Sequence, residues 1–89
     1  MFYTYVLQSD KNKELYIGFT ADLKKRLNEH NLGLNFSTKR YVPWKVIYYE
    51  ACLMETDAKR RESYLKTTQG GRLLKTRIKD YLNDKGRKI

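Results

Sequence analysis

Residues 2–19 read FYTYVLQSDKNKELYIGF, and this stretch decides the fold. Phe2 to Leu7 is dense in aromatic and β-branched side chains, the composition of a strand. Gln8-Ser9-Asp10-Lys11-Asn12-Lys13 is polar and turn-forming. Leu15 to Phe19 is a second short apolar run, with Gly18 near its end. A polar gap this short favours an antiparallel hairpin. Tyr5 and Tyr16 then come near one another, on whichever face the register selects.

Working outward, Thr20 or Asp22 is placed to cap a helix from Leu23 to about His30, with Leu23 and Leu27 as its buried stripe. Arg26 and His30 are spaced i, i+4 and share one face beside that stripe. Gly33 is a helix stop. Leu34 to Pro43 is a basic loop containing Ser37-Thr38-Lys39-Arg40-Tyr41. Trp44 to Leu53 reads as a third strand carried by Val46, Ile47, Tyr48, Tyr49 and Ala51. Thr56 or Asp57 caps a second helix running to about Thr68, with Ala58, Arg61, Glu62 and Leu65 along one side. Gly70-Gly71 breaks the pattern. A third helix from Arg72 to about Asn83 gathers Leu73, Leu74, Arg77, Ile78, Tyr81 and Leu82 around one apolar face. The order β-β-α-β-α-α predicts an α+β domain with a three-stranded, mainly antiparallel sheet flanked by helices. It spans residues 1–84, and residues 85–89 form a basic, disordered tail.

The chain has 89 residues, enough for one domain. At that size only about 60–65% of the extended surface is buried, so the core is thin. The eight tyrosines suit such a core, because each buries a ring and keeps its hydroxyl at the surface. Tyr41, Tyr48, Tyr49, Tyr64 and Tyr81 are read in that way. The formal charge of +9 asks for a polyanionic partner, with nucleic acid first and an anionic membrane as the rival. No segment resembles a membrane span or a signal peptide, which sets the membrane aside. Cys52 is the only cysteine. Intrachain disulfides and Cys/His zinc spacing are therefore excluded, Cys52 reads as a small core residue, and the cytoplasm is the expected location.

Tyr5, Tyr16, Arg26, His30 and Glu62 form a set suited to chemistry on a phosphodiester. Phenol and imidazole move protons, guanidinium holds an anion, and a carboxylate holds a hard cation. Each has a plainer reading beside that one. The tyrosines fit a strand interior, Arg26 and Glu62 fit solvated helix faces, and His30 fits a favourable cation at a helix carboxyl end. Gly18 fits a close backbone approach.

Taken in order, these residues resemble the GIY-YIG endonuclease superfamily. Tyr3-Thr4-Tyr5 stands at the first tripeptide, Tyr16-Ile17-Gly18 matches the second in full, and Arg26 and Glu62 match the next two positions. The resemblance runs from about Phe2 to Tyr81. It is greatest to small single-domain bacterial members related to the excinuclease C amino-terminal domain, which have similar features at Arg26-x-x-x-His30, Thr38-Lys39-Arg40, Tyr64-Leu65-Lys66 and Gly71-Arg72. It implies metal-dependent hydrolysis of a phosphodiester bond, with nucleic acid as partner and DNA ahead of RNA. On that pattern Tyr16 is the base that deprotonates water and Tyr5 is its hydrogen-bonded neighbour. Glu62 holds one divalent cation, Mg²⁺ or Mn²⁺, and Arg26 neutralises the phosphorane. His30 is the alternative base, since a free phenol titrates near ~10 and a free imidazole near ~6.5. Thr38, Lys39, Arg40, Lys66 and Arg72 are candidate nucleic-acid contacts. For Thr38, Lys39 and Arg40 a solvated loop is the alternative. Lys59-Arg60-Arg61 reads as a solvated helix face, and Trp44 as core rather than a base-stacking platform.

The chain departs from the pattern in two places. The first tripeptide lacks its Gly-Ile, and Phe19 stands where excinuclease C-like members carry lysine. Lys24, Lys25 and Lys39 are the candidate replacements for that charge. The expected function is a structure-selective or weakly specific DNA endonuclease in repair or processing. The alternatives are a binding module that retains the fold with weak chemistry, and a small adaptor working through a tyrosine-rich surface. A separate sequence-reading segment is not seen, so long-site specificity is not expected.

Overall fold

The computed structural model describes residues 1–84, so the expected tail at 85–89 lies outside the described residues. The elements are β1 (Phe2–Ser9), β2 (Leu15–Thr20), α1 (Leu23–Asn31), a 3₁₀ turn (Lys39–Tyr41), β3 (Trp44–Cys52), α2 (Glu55–Leu65), α3 (Thr68–Arg77) and α4 (Lys79–Leu82). The strands form one sheet in the order β2-β1-β3. Both pairings are antiparallel, as the hairpin reading requires. Among the described residues no helix is long and apolar enough to cross a membrane.

β1 is the central strand and is buried on both faces. Tyr5 and Leu7 pack with Trp44 on one face, against Leu23 and Leu27 of α1. Val6 packs on the other face with Leu65, Leu74 and Ile78, which belong to α2, α3 and the α3–α4 junction. This two-sided burial explains why Phe2–Leu7 shows a continuous apolar run rather than a clean alternation. Thr4, buried under α2, donates its hydroxyl to the Ala58 carbonyl at 2.9 Å. The β1–β3 register shifts between Val6, opposite Tyr48, and Leu7, opposite Val46. Ile47 is thus the extra residue of a bulge. Ile47 and Tyr48 both pack against the Val6 core, while Val46 faces Leu7.

Asp22 caps α1 by accepting from the Lys25 amide at 3.0 Å. Gly33, at φ +77°, ends it in the left-handed conformation that glycine adopts without strain. The end of α1 is tied to the start of β3 by Asn31, whose amide donates to the Trp44 carbonyl and accepts from the Trp44 amide at 2.9 and 2.6 Å. On the opposite side, Arg61 of α2 grips Glu50 of β3 through paired hydrogen bonds of 3.0 Å.

Five local expectations are corrected. α2 begins at Glu55 with Met54 at its cap position, so neither Thr56 nor Asp57 caps it. It ends at Leu65, short of Thr68. Gly70-Gly71 does not break a helix, because both lie within α3, which Thr67 caps by accepting from the Gly70 amide at 3.0 Å. The glycine at 70 lets α3 cross closely over the end of α2: a Cβ there would stand 1.8 Å from the Tyr64 carbonyl oxygen. The helix expected to run unbroken to Asn83 divides at Ile78 into α3 and α4. Cys52, expected in the core, is half-buried.

Candidate active site

The hairpin brings Leu7 opposite Tyr16 and Tyr5 opposite Gly18. Tyr5 and Tyr16 therefore share the α1 face of the sheet, with ring centroids 6.5 Å apart. The Tyr5 ring leans across β2 over Gly18. A Cβ at position 18 would lie 2.5 Å from the Tyr5 hydroxyl oxygen. Glycine in the second tripeptide is thus the opening through which the first tyrosine reaches the site.

α1 delivers Arg26 and His30 to that hydroxyl. The Tyr5 hydroxyl lies 2.9 Å from His30 Nε2. The Arg26 cation lies close enough to favour its ionised form. On its other side, His30 Nδ1 is 2.8 Å from Thr38 Oγ1, and the Thr38 hydroxyl donates to the Asn35 carbonyl at 3.5 Å. Counting protons assigns the tautomer. The Thr38 hydroxyl gives its proton to the Asn35 carbonyl, so its oxygen accepts from His30 and the phenol proton goes to Nε2. Nδ1–H then donates to Thr38, and each buried polar atom has a partner. Tyr5, His30 and Thr38 are all essentially inaccessible to solvent.

Charge follows from this burial. Desolvation, aided by the nearby Arg26 cation, pushes His30 down to about 4, so its imidazole is neutral at neutral pH. Burial raises the Tyr5 phenol above its ordinary value, although Arg26 pulls it back. Burial also works against the Arg26 cation, but bonds to Tyr5 and to Glu29 outweigh it and hold the guanidinium above its ordinary value. The Arg26–Glu29 contact is 3.0 Å.

Tyr16 is only half-buried and stands edge-on to His30, at 5.1 Å between centroids, and to Trp44 at 6.3 Å. Trp44 is buried, and its indole N–H donates to the Thr38 carbonyl at 2.9 Å, which makes it core, as expected. Glu62 projects from α2, the helix on the far face of the sheet. Its carboxylate is mostly covered, with 18% side-chain exposure, and its negative charge is one of the influences that raise the Tyr5 phenol. Lys66 donates to it at 2.7 Å.

The structure thus gathers Tyr5, Tyr16 and His30 on the α1 face of the sheet with the Arg26 cation beside them, while Glu62 projects from α2. It differs from expectation in three respects. Tyr5 bonds His30 rather than serving as the partner of Tyr16. Thr38 faces the interior instead of a phosphate, because its hydroxyl holds His30. Lys66 is engaged with Glu62. Lys39, Arg40 and Arg72 are exposed. Of the Lys59-Arg60-Arg61 run, Arg60 is solvated while Arg61 is drawn to Glu50. Lys59 sits over the Phe19 ring at 5.6 Å, placing a cation beside the residue that departs from the family pattern.

Two members of the site were not singled out in the sequence. Glu29 was legible as the i, i+3 partner of Arg26. Asn31 was not, since its contacts with Trp44 arise only when α1 and β3 dock.

Among the described residues no group of three or more His, Cys, Asp or Glu could hold a metal. Glu62 stands as a single carboxylate. That donor set fits a hard cation whose shell is completed by water and phosphate oxygens, the usual habit of Mg²⁺.

A family model for the GIY-YIG catalytic domain matches residues 1–73. A UPF0213 protein of Streptococcus agalactiae serotype V is 38% identical over 84 residues, covering 92% of each chain. A UPF0213 protein of Streptococcus pyogenes serotype M5 is 49% identical over 49 residues, covering 54% of this chain and 52% of its own length. No solved structure matches the chain. With its sheet order, its tyrosine pair and a family match over most of its length, the chain belongs to the GIY-YIG catalytic-domain family.

Proposed function

We propose that the protein is a metal-dependent endonuclease that cuts DNA at branched, flapped or otherwise structured sites with little sequence specificity. The observation that carries this reading is the Tyr5–His30 hydrogen bond, with Tyr16 packed against both rings and the Arg26 cation beside them. The choice of DNA rests on the resemblance to the excinuclease C amino-terminal domain. The charge of +9 supports nucleic acid in general.

Tyr16 takes the proton from the attacking water, being the less buried of the two phenols. His30 is a poorer candidate base, because it is fully buried with both ring nitrogens engaged. Its role is to fix Tyr5, which in turn orients Arg26. Arg26 neutralises the charge that builds on the phosphoryl oxygens. Glu62 would hold Mg²⁺ or Mn²⁺; when bound, the cation supplies positive charge to the scissile phosphate and the departing oxygen. Lys66 must release Glu62 for that to happen.

The test is a panel of DNA and RNA structures incubated with wild type and Glu62→Ala, in Mg²⁺, Mn²⁺ or EDTA. Wild type should nick flapped and branched DNA with metal and not with EDTA. Glu62→Ala should cut at least about 100-fold more slowly while binding as wild type does. The Glu62–Lys66 ion pair favours a second reading, a nucleic-acid-binding module with weak chemistry. Tight binding without cutting in either metal would select it.

A further inference from the structure

The loop between α1 and the 3₁₀ turn carries a feature that the reaction does not use. Phe36 is 83% exposed, the most exposed of the large apolar side chains among the described residues. The loop that holds it is ordered by Asn35, whose side chain accepts from the Ser37 amide at 2.8 Å and whose carbonyl accepts from the Lys39 amide at 3.0 Å. The same loop is anchored at Thr38, two residues on, where the hydroxyl meets His30 and the carbonyl meets the Trp44 indole. Two residues span at most about 7 Å, so the base of Phe36 stays that close to the residue that holds His30. Lys39 lies over the ring at 5.1 Å, Arg40 is exposed beside it, and Lys11 donates to the Arg40 carbonyl at 3.2 Å.

An exposed aromatic ring on an ordered loop, with Lys39 over it and Arg40 and Lys11 in the same basic segment, matches an unpaired nucleobase in a polyanionic strand. The ring offers a stacking face and the cations hold the flanking phosphates. A hydrophobic protein partner would gain nothing from the three cations. We propose that Phe36 is a base-stacking residue that selects nucleic acid with an unpaired nucleotide a few steps from the scissile phosphate, held there by Lys39 and Arg40. A duplex hides its base faces, so the contact discriminates in favour of flaps, bulges and single strands. This deepens the nuclease reading by naming its substrate class, and it rests on that reading only for the position of the scissile phosphate.

The experiment measures binding in EDTA, where no cutting complicates it. The probes are a 5′ flap, a single strand and a blunt duplex of matched length, the first two carrying 2-aminopurine at successive positions. Phe36→Ala should weaken flap and single-strand binding about 5- to 100-fold and leave duplex binding within twofold. Phe36→Trp should retain affinity and quench 2-aminopurine at one or two positions. Equal affinity of wild type and Phe36→Ala for all three probes would overturn the proposal, as would an equal loss on all three. A wild-type dimer in sedimentation that Phe36→Ala converts to monomer would also overturn it, by making the ring a self-association contact. A cleavage assay on the same probes separates the two ideas. Selective loss of flap binding by Phe36→Ala in a protein that never cuts would sustain the stacking role and sink the nuclease.

Discussion

His30 is neutral in the folded protein because charging it would strand a cation inside the sheet–helix layer next to Arg26. The unfolded chain binds that proton near pH 6.5 and the folded chain only near 4. Between those values the unfolded state holds more protons, so acid erodes stability as pH falls through that window. The full loss from this group is about 3 kcal/mol. Urea unfolding at pH 7, 5.5 and 4 should show this slope in wild type on top of the carboxylate contribution. His30→Gln should lose the part that belongs to the imidazole, whatever its effect at pH 7; identical slopes would contradict the buried neutral ring. A second prediction at this scale concerns Gly18. Adding a methyl group there drives the Tyr5 ring out of its place. Gly18→Ala should cost about 1–3 kcal/mol, and nuclear magnetic resonance should show the His30 ring shifts moving toward those of a Tyr5→Phe variant. Unchanged His30 shifts would mean that the ring tolerates the added group.

Adjacent glycines in α3 separate two influences on a helix. A Cβ on Gly70 would collide with the Tyr64 carbonyl, whereas one on Gly71 meets only the Leu65 carbonyl at an ordinary 3.9 Å. Gly71→Ala should raise stability by about 0.5–1 kcal/mol by removing backbone freedom from the unfolded chain. Gly70→Ala should lower it by at least about 1–3 kcal/mol by forcing α3 off α2. Thermal melts of the two variants check the opposite signs, and like signs would be inconsistent with the packing. The same pair shows how far elements were legible in the sequence. Strands, hairpin and α1 followed from period, turn chemistry and the Asp22 cap, all of them local. The Gly-Gly pair looked like a breaker because its reason is tertiary: a helix crossing visible only once α2 and α3 are packed. The bulge at Ile47 was hidden for the same cause, as were the interior direction of Thr38 and the Asn31 link to Trp44. Arg26 and His30 could be placed on one face from their spacing, but their meeting point at the Tyr5 hydroxyl depends on Gly18 being opposite Tyr5.

Over the whole molecule, the excess of cations predicts how binding responds to salt. Lys39, Arg40, Lys66 and Arg72 are all exposed. If these four neutralise phosphates, log affinity should fall against log salt with a slope of about −4, since each contact contributes about −0.9. Replacing Lys39 and Arg40 with alanine should flatten that slope by about 2; titrations by fluorescence anisotropy from 50 to 300 mM salt measure both. An unchanged slope in the double variant would remove this loop from the binding surface. The strand order carries a further consequence, for how the chain is made. Tyr5, Tyr16, Arg26 and His30 are all synthesised before β3, yet β1 is the middle strand and one of its edges waits for that strand. Glu62 arrives later still, on α2. A nascent chain stalled before residue 44 therefore carries these four side chains without the strand that completes the sheet beneath them.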